Sequence, residues 1–317
     1  MLFRSLNTNL ANLVHKDTKI NFLDTPGYAA FVAHARPALR VADLALVVVD
    51  GVNGIEVQTE KTWSYANEFM LPRFMVINKL DKERSDFGHA VDTAANSFAR
   101  SIVPFTLPIG NEADFRGIVD VIHLKAYEYD ANGKAKEVPI PEIGREIVDS
   151  TRERLIELVA ESDDALLEKY FEEGTLSDED VIPQLSKAIA ASKLCPVFAV
   201  SANTLVGLSH LLEAIIEFAP NPAAHEVETG RAEADETSER MLRKYGDDEP
   251  FSAFVFRTIA EPFAGRINVM KIVSGKISHD ANVYNSTRGT TERLGALHTM
   301  QGKQIDKVPE EIGRAHV

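Results

Sequence analysis

Three short apolar runs constrain this chain more than anything else in it: Lys19–Asp24 (KINFLD), Ala45–Asp50 (ALVVVD) and Arg73–Asn78 (RFMVIN). Each has the length of a strand and ends on a carboxylate or a carboxamide. Near-continuous apolar runs of this length read as strands buried on both faces of a parallel sheet. Helical periodicity fills the gaps, over roughly 29–41 and 58–69, and strand–helix alternation at this spacing predicts a doubly wound α/β domain. Ligands bind such sheets outside the carboxyl ends of the strands, so Asp24 and Asn78 stand where a ligand site is expected.

The pattern breaks after Ile102. Residues from about 104 to 194 read as an α+β insertion: a hairpin with Asn132-Gly133 as its turn signal, then several charged amphipathic helices over 141–192. The sheet pattern resumes at Cys195–Val200 (CPVFAV), with a helix expected over 207–218. Residues 1–222 are thus one α/β domain. A charged connector, part loop and part short helix, is expected over 223–250. The runs FSAFVFRTI, INVMKIVSGKI and NVYN predict a partial antiparallel β-barrel over 251–310.

At 317 residues and 44% hydrophobic, the chain can bury more than one core. A formal net charge of -14 argues against a freestanding nucleic-acid binder, and no DNA partner is expected. Cys195 is the single cysteine, which rules out an internal disulfide framework and a multi-cysteine zinc site. The nine histidines include no pair at metal-ligand spacing. No apolar stretch reaches the ~18 residues of a membrane span. The start, MLFRSLNTNL, lacks the apolar core of a signal peptide, so a cytoplasmic location is expected; separately, the chain is expected to be a monomer.

Three loop motifs carry the chemistry. In Asp24-Thr25-Pro26-Gly27, a carboxylate can orient Mg²⁺, directly or through water, and the Gly27 amide can donate to a terminal phosphate oxygen. Alone, DTPG is also an ordinary turn. In Asn78-Lys79-Leu80-Asp81, the acceptor-only fork of Asp81 matches the adjacent N1–H and N2–H donors of guanine and leaves adenine with an unpaired group. The Lys79 stem can cover the base face, and Asn78 can tie loops together. In Ser201-Ala202-Asn203, backbone N–H groups can meet the guanine O6, although Ser and Asn are also common helix starters. The order of all three at strand ends is far more specific than any one. The phosphate-loop pattern G-x-x-x-x-G-K-[ST] is absent, and Ser274-Gly275-Lys276-Ile277 lacks its final hydroxyl.

On these motifs the chain resembles the elongation factor G family of translational GTPases, from about Asn7 to Glu310. DTPGYAAFVAHARPALRVADLALVVVD resembles the family's switch II and the strand after it, and FMVINKLDKERSDF its guanine-specificity strand. LPIGNEADFRGIVDVIHLKAYEY resembles the family's extra subdomain, and FRTIAEPFAGRINVMKIVSGKI the start of its second-domain barrel. The resemblance implies a G domain of the P-loop NTPase type lacking its P-loop, GTP or GDP with Mg²⁺ as ligands, and a ribosomal partner of RNA and protein. Asp24, Thr25, Pro26, Gly27, Tyr28, Asn78, Lys79, Leu80, Asp81, Ser201 and Ala202 become its nucleotide-binding residues, with Asp24 near Mg²⁺ through water.

This sequence departs from that pattern in places. Tyr28 stands where the family has a water-positioning His, and a phenol is a poor acid or base near neutrality. A subgroup of elongation-factor-G-like proteins carries DTPGY, and the resemblance implies that this chain belongs to it. The departure leaves open a slow or non-catalytic GTP-gated binder, while a ribosome-protection factor fits less well, since those keep the His. Ala30 replaces the usual Asp, and Pro37 falls inside the expected switch helix, where it must kink or restart the helix. Only 23 residues precede Asp24, so truncation at the start is expected, and the resemblance implies truncation at the end as well, within the barrel. EIGRAHV can be encoded by a sequencing-adapter sequence, so residues 311–317 are expected to be an artefactual tail.

Overall fold

Polar and apolar residues alternate in the first strand pair. In the computed structural model, which describes residues 7–98, 101–142, 144–222, 227–231, 240–261, 265–302 and 304–312, β1 (Asn9–His15) and β2 (Thr18–Asp24) pair antiparallel, with Asn9 opposite Asp24 and His15 opposite Thr18. Lys16 and Asp17 form the turn, both at positive φ (46° and 60°), as a two-residue hairpin requires. This corrects the expectation of a parallel strand buried on both faces. Lys19 and Asn21 alternate with Ile20 and Phe22, and no residue of β2 is fully buried. A 3₁₀ turn over Ala29–His34 then leads into α1 (Ala35–Val41). The single expected helix is thus two pieces, and the restart puts Pro37 in the first turn of α1. There its missing N–H leaves no helical bond unmade.

The chain divides into two units: residues 43–220, and residues 1–42 together with 221–317. In the first, β3 (Ala45–Asp50), α2 (Val57–Glu68), β4 (Arg73–Asn78), α3 (Phe87–Ser97) and β5 (Ile102–Pro104) follow in order. An antiparallel sheet comes next, built of β6 (Thr106–Ile109), β7 (Gly117–Asp120), β8 (Lys125–Tyr129) and β9 (Ala135–Val138). Helices α4 (Arg145–Ala160), α5 (Asp164–Glu173) and α6 (Asp178–Ala190) lead to β10 (Cys195–Ala199) and α7 (Leu208–Phe218). The main sheet is parallel throughout, in the order β3-β4-β10-β5. β5 belongs to it, and the Phe105 N–H continues the ladder by donating to the Val197 carbonyl (2.9 Å), so the main sheet runs to the expected start of the insertion at about 104.

The period of two along each strand sorts side chains onto the two faces of this sheet. Phe74, Val76 and Phe198 pack with Leu155, Val159, Leu185 and Ile189 from α4 and α6. Met75, Ile77, Val197 and Ala199 pack with Trp63, Ala90 and Ala94 from α2 and α3. The inserted helices are therefore one wall of the main core. Phe105, between β5 and β6, makes edge-on ring contacts with Phe198 (5.8 Å) and Phe218 (5.5 Å), which joins the start of the insertion to β10 and α7. Burying such a ring contributes about 1.5–3 kcal/mol. Capping follows the sequence: Glu56 and Thr59 form a capping box on α2, and the Asp86 carboxylate accepts the His89 N–H at 2.9 Å on α3.

The rest of the second unit is antiparallel. β11 (Val227–Arg231) pairs with β12 (Arg240–Lys244), so strands occupy part of what the sequence suggested was loop and short helix. β13 (Ser252–Glu261) and β14 (Gly265–Ser274) form a long hairpin with a register shift between Val255 and Arg257. β15 (Lys276–Ser278), β16 (Asn282–Asn285), β17 (Thr290–Arg293), β18 (Leu297–Gln301), β19 (Gln304–Val308) and β20 (Glu310–Ile312) follow, pairing β15–β20, β16–β17 and β18–β19. Glu311 and Ile312, assigned from sequence to the foreign tail, pair with Ile277 and Lys276. Residues 313–317 lie outside the described residues. Gly275 shows why Ser-Gly-Lys occurs here without phosphate chemistry: at φ +68° its Cβ would lie 2.3 Å from the Glu249 carbonyl oxygen, so only Gly fits. Within the same unit, β1 meets β18, where the Gly302 N–H donates to the Leu10 carbonyl (2.7 Å) and the Asn12 N–H to Gln301 Oε1 (2.7 Å).

Candidate functional site

The parallel strand β4 delivers Asn78 to the sheet's carboxyl edge, and a sharp turn begins there. Lys79 sits at φ +67°, a left-handed conformation that costs a non-glycine residue energy and needs support from its surroundings. Asn78 supplies that support. Its Oδ1 accepts the Lys79 N–H (2.8 Å) and the Ala202 N–H (2.9 Å), tying the loop after β4 to the loop after β10. Leu80, 3% exposed, anchors the loop in the core. Asp81 then meets three donors: Ser201 Oγ at 2.7 Å, Asn203 Nδ2 at 3.2 Å and Lys82 Nζ at 3.3 Å. Burial pushes the Asp81 carboxyl up, but the hydrogen bonds from Ser201, Lys82 and Asn203 outweigh it and hold the group below its ordinary value. Asp81 is thus an ionised fork that accepts and does not donate.

A neighbour absent from the sequence-based site braces this turn. Asp50 ends β3 directly opposite Asn78 in the sheet register, and its carboxylate forms an ion pair with the Lys79 ammonium. Its other oxygen accepts the Val52 N–H at 2.9 Å. Burial raises the Asp50 carboxyl, and the bonds from Lys79 and Val52 win, leaving it below the usual range. The Gly51 N–H donates to the Asn78 carbonyl at 2.8 Å, and a Cβ on Gly51 would stand 3.0 Å from that same oxygen. The terminal Asp of ALVVVD was the available signal, but strand-end position alone does not identify its partner.

Asn78, Lys79, Leu80, Asp81, Ser201 and Ala202 therefore form one cluster at adjacent strand ends of the 43–220 unit. Asp24, Thr25, Pro26, Gly27 and Tyr28 lie in the other unit, at the end of β2. Pro26 is buried, while Asp24 and Gly27 are exposed and Tyr28 is 49% exposed. The Tyr28 carbonyl accepts the Phe31 N–H at 2.9 Å, which starts the 3₁₀ turn. A Cβ on Gly27 would meet nothing within 4 Å, so the space over its backbone is open to a ligand. Among the described residues no group of three His, Cys, Asp or Glu side chains could hold a metal. Any Mg²⁺ here needs oxygens from a bound phosphate chain, which is the usual way that ion binds.

A second polar cluster sits where the inserted sheet meets α7. Asp120, 2% exposed, accepts the Ile122 N–H (2.7 Å), the His123 N–H (3.1 Å) and His123 Nδ1 (2.7 Å), with His210 Nε2 at 3.3 Å. His123 Nε2 also reaches Glu217 at 3.3 Å. The Asp120 carboxylate, helped by Glu217, raises the His123 imidazole to about 10. Burial pushes Asp120 up, yet its bonds to His123 and His210 hold it well below the carboxylate range. These groups border a cavity of ≈ 230 Å³ that also touches Lys125 and Tyr127. Sequence reading missed the cluster, because Asp-x-x-His is a common turn and its partners lie on α7.

The elongation factor Tu GTP binding domain family matches residues 4–221, and the elongation factor G domain 2 family matches residues 250–313. Elongation factor G of Thermotoga maritima is 36% identical over 295 residues, spanning 92% of this chain and 42% of that protein. Elongation factor G of Thermotoga petrophila matches to the same extent, 36% over 295 residues. A crystal structure of a protein from Thermus thermophilus superposes with a TM-score of 0.83 at 30% identity, covering 98% of this chain and 43% of that one. The chain thus spans about 42% of the length of the curated relatives it matches.

Proposed function

This chain belongs to the family of the elongation factor Tu GTP binding domain, on its elongation factor G branch, and we propose that it carries the base-recognition and switch parts of a guanine-nucleotide-dependent translation factor. The observation that carries this reading is the joining of Asn78 and Asp81 to Ala202 and Ser201 at two neighbouring strand ends, with Asp81 held ionised. Guanine would present N1–H and N2–H to the Asp81 fork. Its amino group would take the place of the Asn203 amide, so one donor replaces another and the carboxylate stays satisfied. The Ser201 and Ala202 backbone would face O6, and the Lys79 stem would lie against the ring.

At the other cluster, the Gly27 amide would donate to the terminal phosphate. Asp24 would reach Mg²⁺ through water, and the ion, when bound with nucleotide, would offset phosphate charge. In the full-length factor, GTP would order the switch segment and hydrolysis on the ribosome would release it. No sequence of the phosphate-loop type occurs in these 317 residues, so the chain by itself is expected to bind the base weakly. Amide NMR titration of the chain with guanosine and adenosine tests the reading. Shifts confined to residues 78–81 and 201–204, produced by guanosine alone, are expected; equal response to adenosine would overturn it.

Tyr28 supports a second reading, a factor that holds GTP and hydrolyses it slowly. Its phenol is half-exposed and, by the resemblance, would occupy the water-positioning place of the family's His; a phenol can orient water without taking its proton. Multiple-turnover hydrolysis by the full-length protein on ribosomes distinguishes the two.

A further inference from the structure

The β8–β9 hairpin lies along the loop that follows β10. Its turn is held by Asp130, whose Oδ1 accepts the Asn132 N–H (2.8 Å) and the Lys134 N–H (2.9 Å), while the Gly133 N–H donates to the Asp130 carbonyl (2.9 Å). Gly133 is at φ +75°, and a Cβ there would lie 2.6 Å from Leu205 Cβ. The tip of the insertion therefore touches Leu205. Leu205, itself at φ +64°, belongs to the loop closed by the Ser201 N–H on the Val206 carbonyl (3.0 Å). That loop carries Ser201, Ala202 and Asn203, which hold Asn78 and Asp81. Behind the tip the seam continues: the Tyr127 and His210 rings are 5.6 Å apart, and Asp120 and His123 engage His210 and Glu217.

An ion-paired seam thus fixes the base of the hairpin against α7, and one small contact joins its tip to the base-recognition loop. We propose that the Asp130–Lys134 turn is a positioning element for that loop: through Gly133 and Leu205 it sets where residues 201–203 stand, and so how firmly Asn78 and Asp81 are held. The consequence for nucleotide rests on the guanine reading above, whereas the mechanical link does not. Leu205 is 39% exposed, so the contact can be altered without opening the core. A partner that engaged the exposed turn would act on the base loop from outside it.

Amide hydrogen exchange of the whole chain without nucleotide tests the link. Leu205→Ala removes the Cγ and Cδ1 part of the contact and keeps Cβ. Gly133→Asn keeps a residue that tolerates positive φ but drives its Cβ into Leu205. In both variants the Ala202 N–H, protected by Asn78, and the Thr204 N–H, bonded to Ser201 Oγ at 3.1 Å, are expected to exchange about tenfold faster or more, with Val197 and Phe198 unchanged. Unchanged Ala202 exchange in either variant, or an equal rise throughout β10, would overturn the proposal. Selective loosening of Ala202 in a chain that does not distinguish guanosine from adenosine would leave the link standing and overturn the guanine reading alone.

Discussion

The Ser201 hydroxyl donates to the Asp81 carboxylate at 2.7 Å, joining two loops 120 residues apart in sequence. A hydrogen bond to an ionised group contributes about 1.5–3 kcal/mol. Ser201→Ala should therefore raise the Asp81 carboxyl toward its ordinary value. Because the native Asp81 value is depressed, its contribution is complete above the unfolded carboxyl value near ~3.9 and is lost as pH falls through the native one. The variant should lose stability at neutral pH and differ less from the parent under acid. Denaturant unfolding at pH 7 and pH 3 checks this.

Asp81→Asn changes what the fork can do. A carboxamide offers a donor beside its acceptor, which suits xanthine, whose C2 carries a carbonyl where guanine has an amino group. Base preference should move from guanosine to xanthosine, by a factor of about ten or more per mispaired group. Competition titrations followed at the Lys79 and Ala202 amides would report it.

His123 makes the seam pH-dependent on the alkaline side. Its imidazole is raised to about 10 by Asp120 and Glu217, against about 6.5 in the unfolded chain. Its stabilisation is therefore complete below pH ~6.5 and lost as pH rises through the native value. Asp120, held low, contributes fully above the ordinary carboxylate range. The imidazole is 35% exposed, so solvent screening trims the cost of His123→Gln to about 1 kcal/mol at pH 6, shrinking toward pH 10.5. Unfolding midpoints at the two pH values measure the difference.

Gly51→Ala tests the brace beside Lys79. The added Cβ would meet the Asn78 carbonyl oxygen and Leu80 Cδ2, each at 3.0 Å, and the carbonyl belongs to a paired strand that cannot yield. A loss of about 1–3 kcal/mol is expected, with chemical-shift changes centred on residues 78–81. Gly27→Ala, where the Cβ meets nothing within 4 Å, should leave unfolding unchanged.

Cys195 should be silent toward thiol reagents in the native chain. It is buried in β10, and burial pushes its thiol up to about 12. Ellman's reagent at pH 8 should titrate no thiol until denaturant unfolds the 43–220 unit. Rapid reaction without denaturant would contradict the packing described for that sheet.

Much of this protein is written locally. The strands at 45–50, 73–78 and 195–199, the Asn132-Gly133 turn and the strand-end motifs are contiguous patterns whose meaning depends on neighbours a few residues away. What needed the tertiary structure is every relation between distant segments. KINFLD has the apolar content of a buried strand, but its partner, β1, makes it one side of an antiparallel pair. Asp50 acquires its role only because the β3–β4 register sets it beside Asn78. Asp120 meets His210, and Gly133 meets Leu205, only once the inserted sheet lies against α7 and the loop before it. A short sequence motif specifies donors, acceptors and chain direction. Which of them meet is decided by packing and register, where a shift of one residue would turn each side chain to the opposite face.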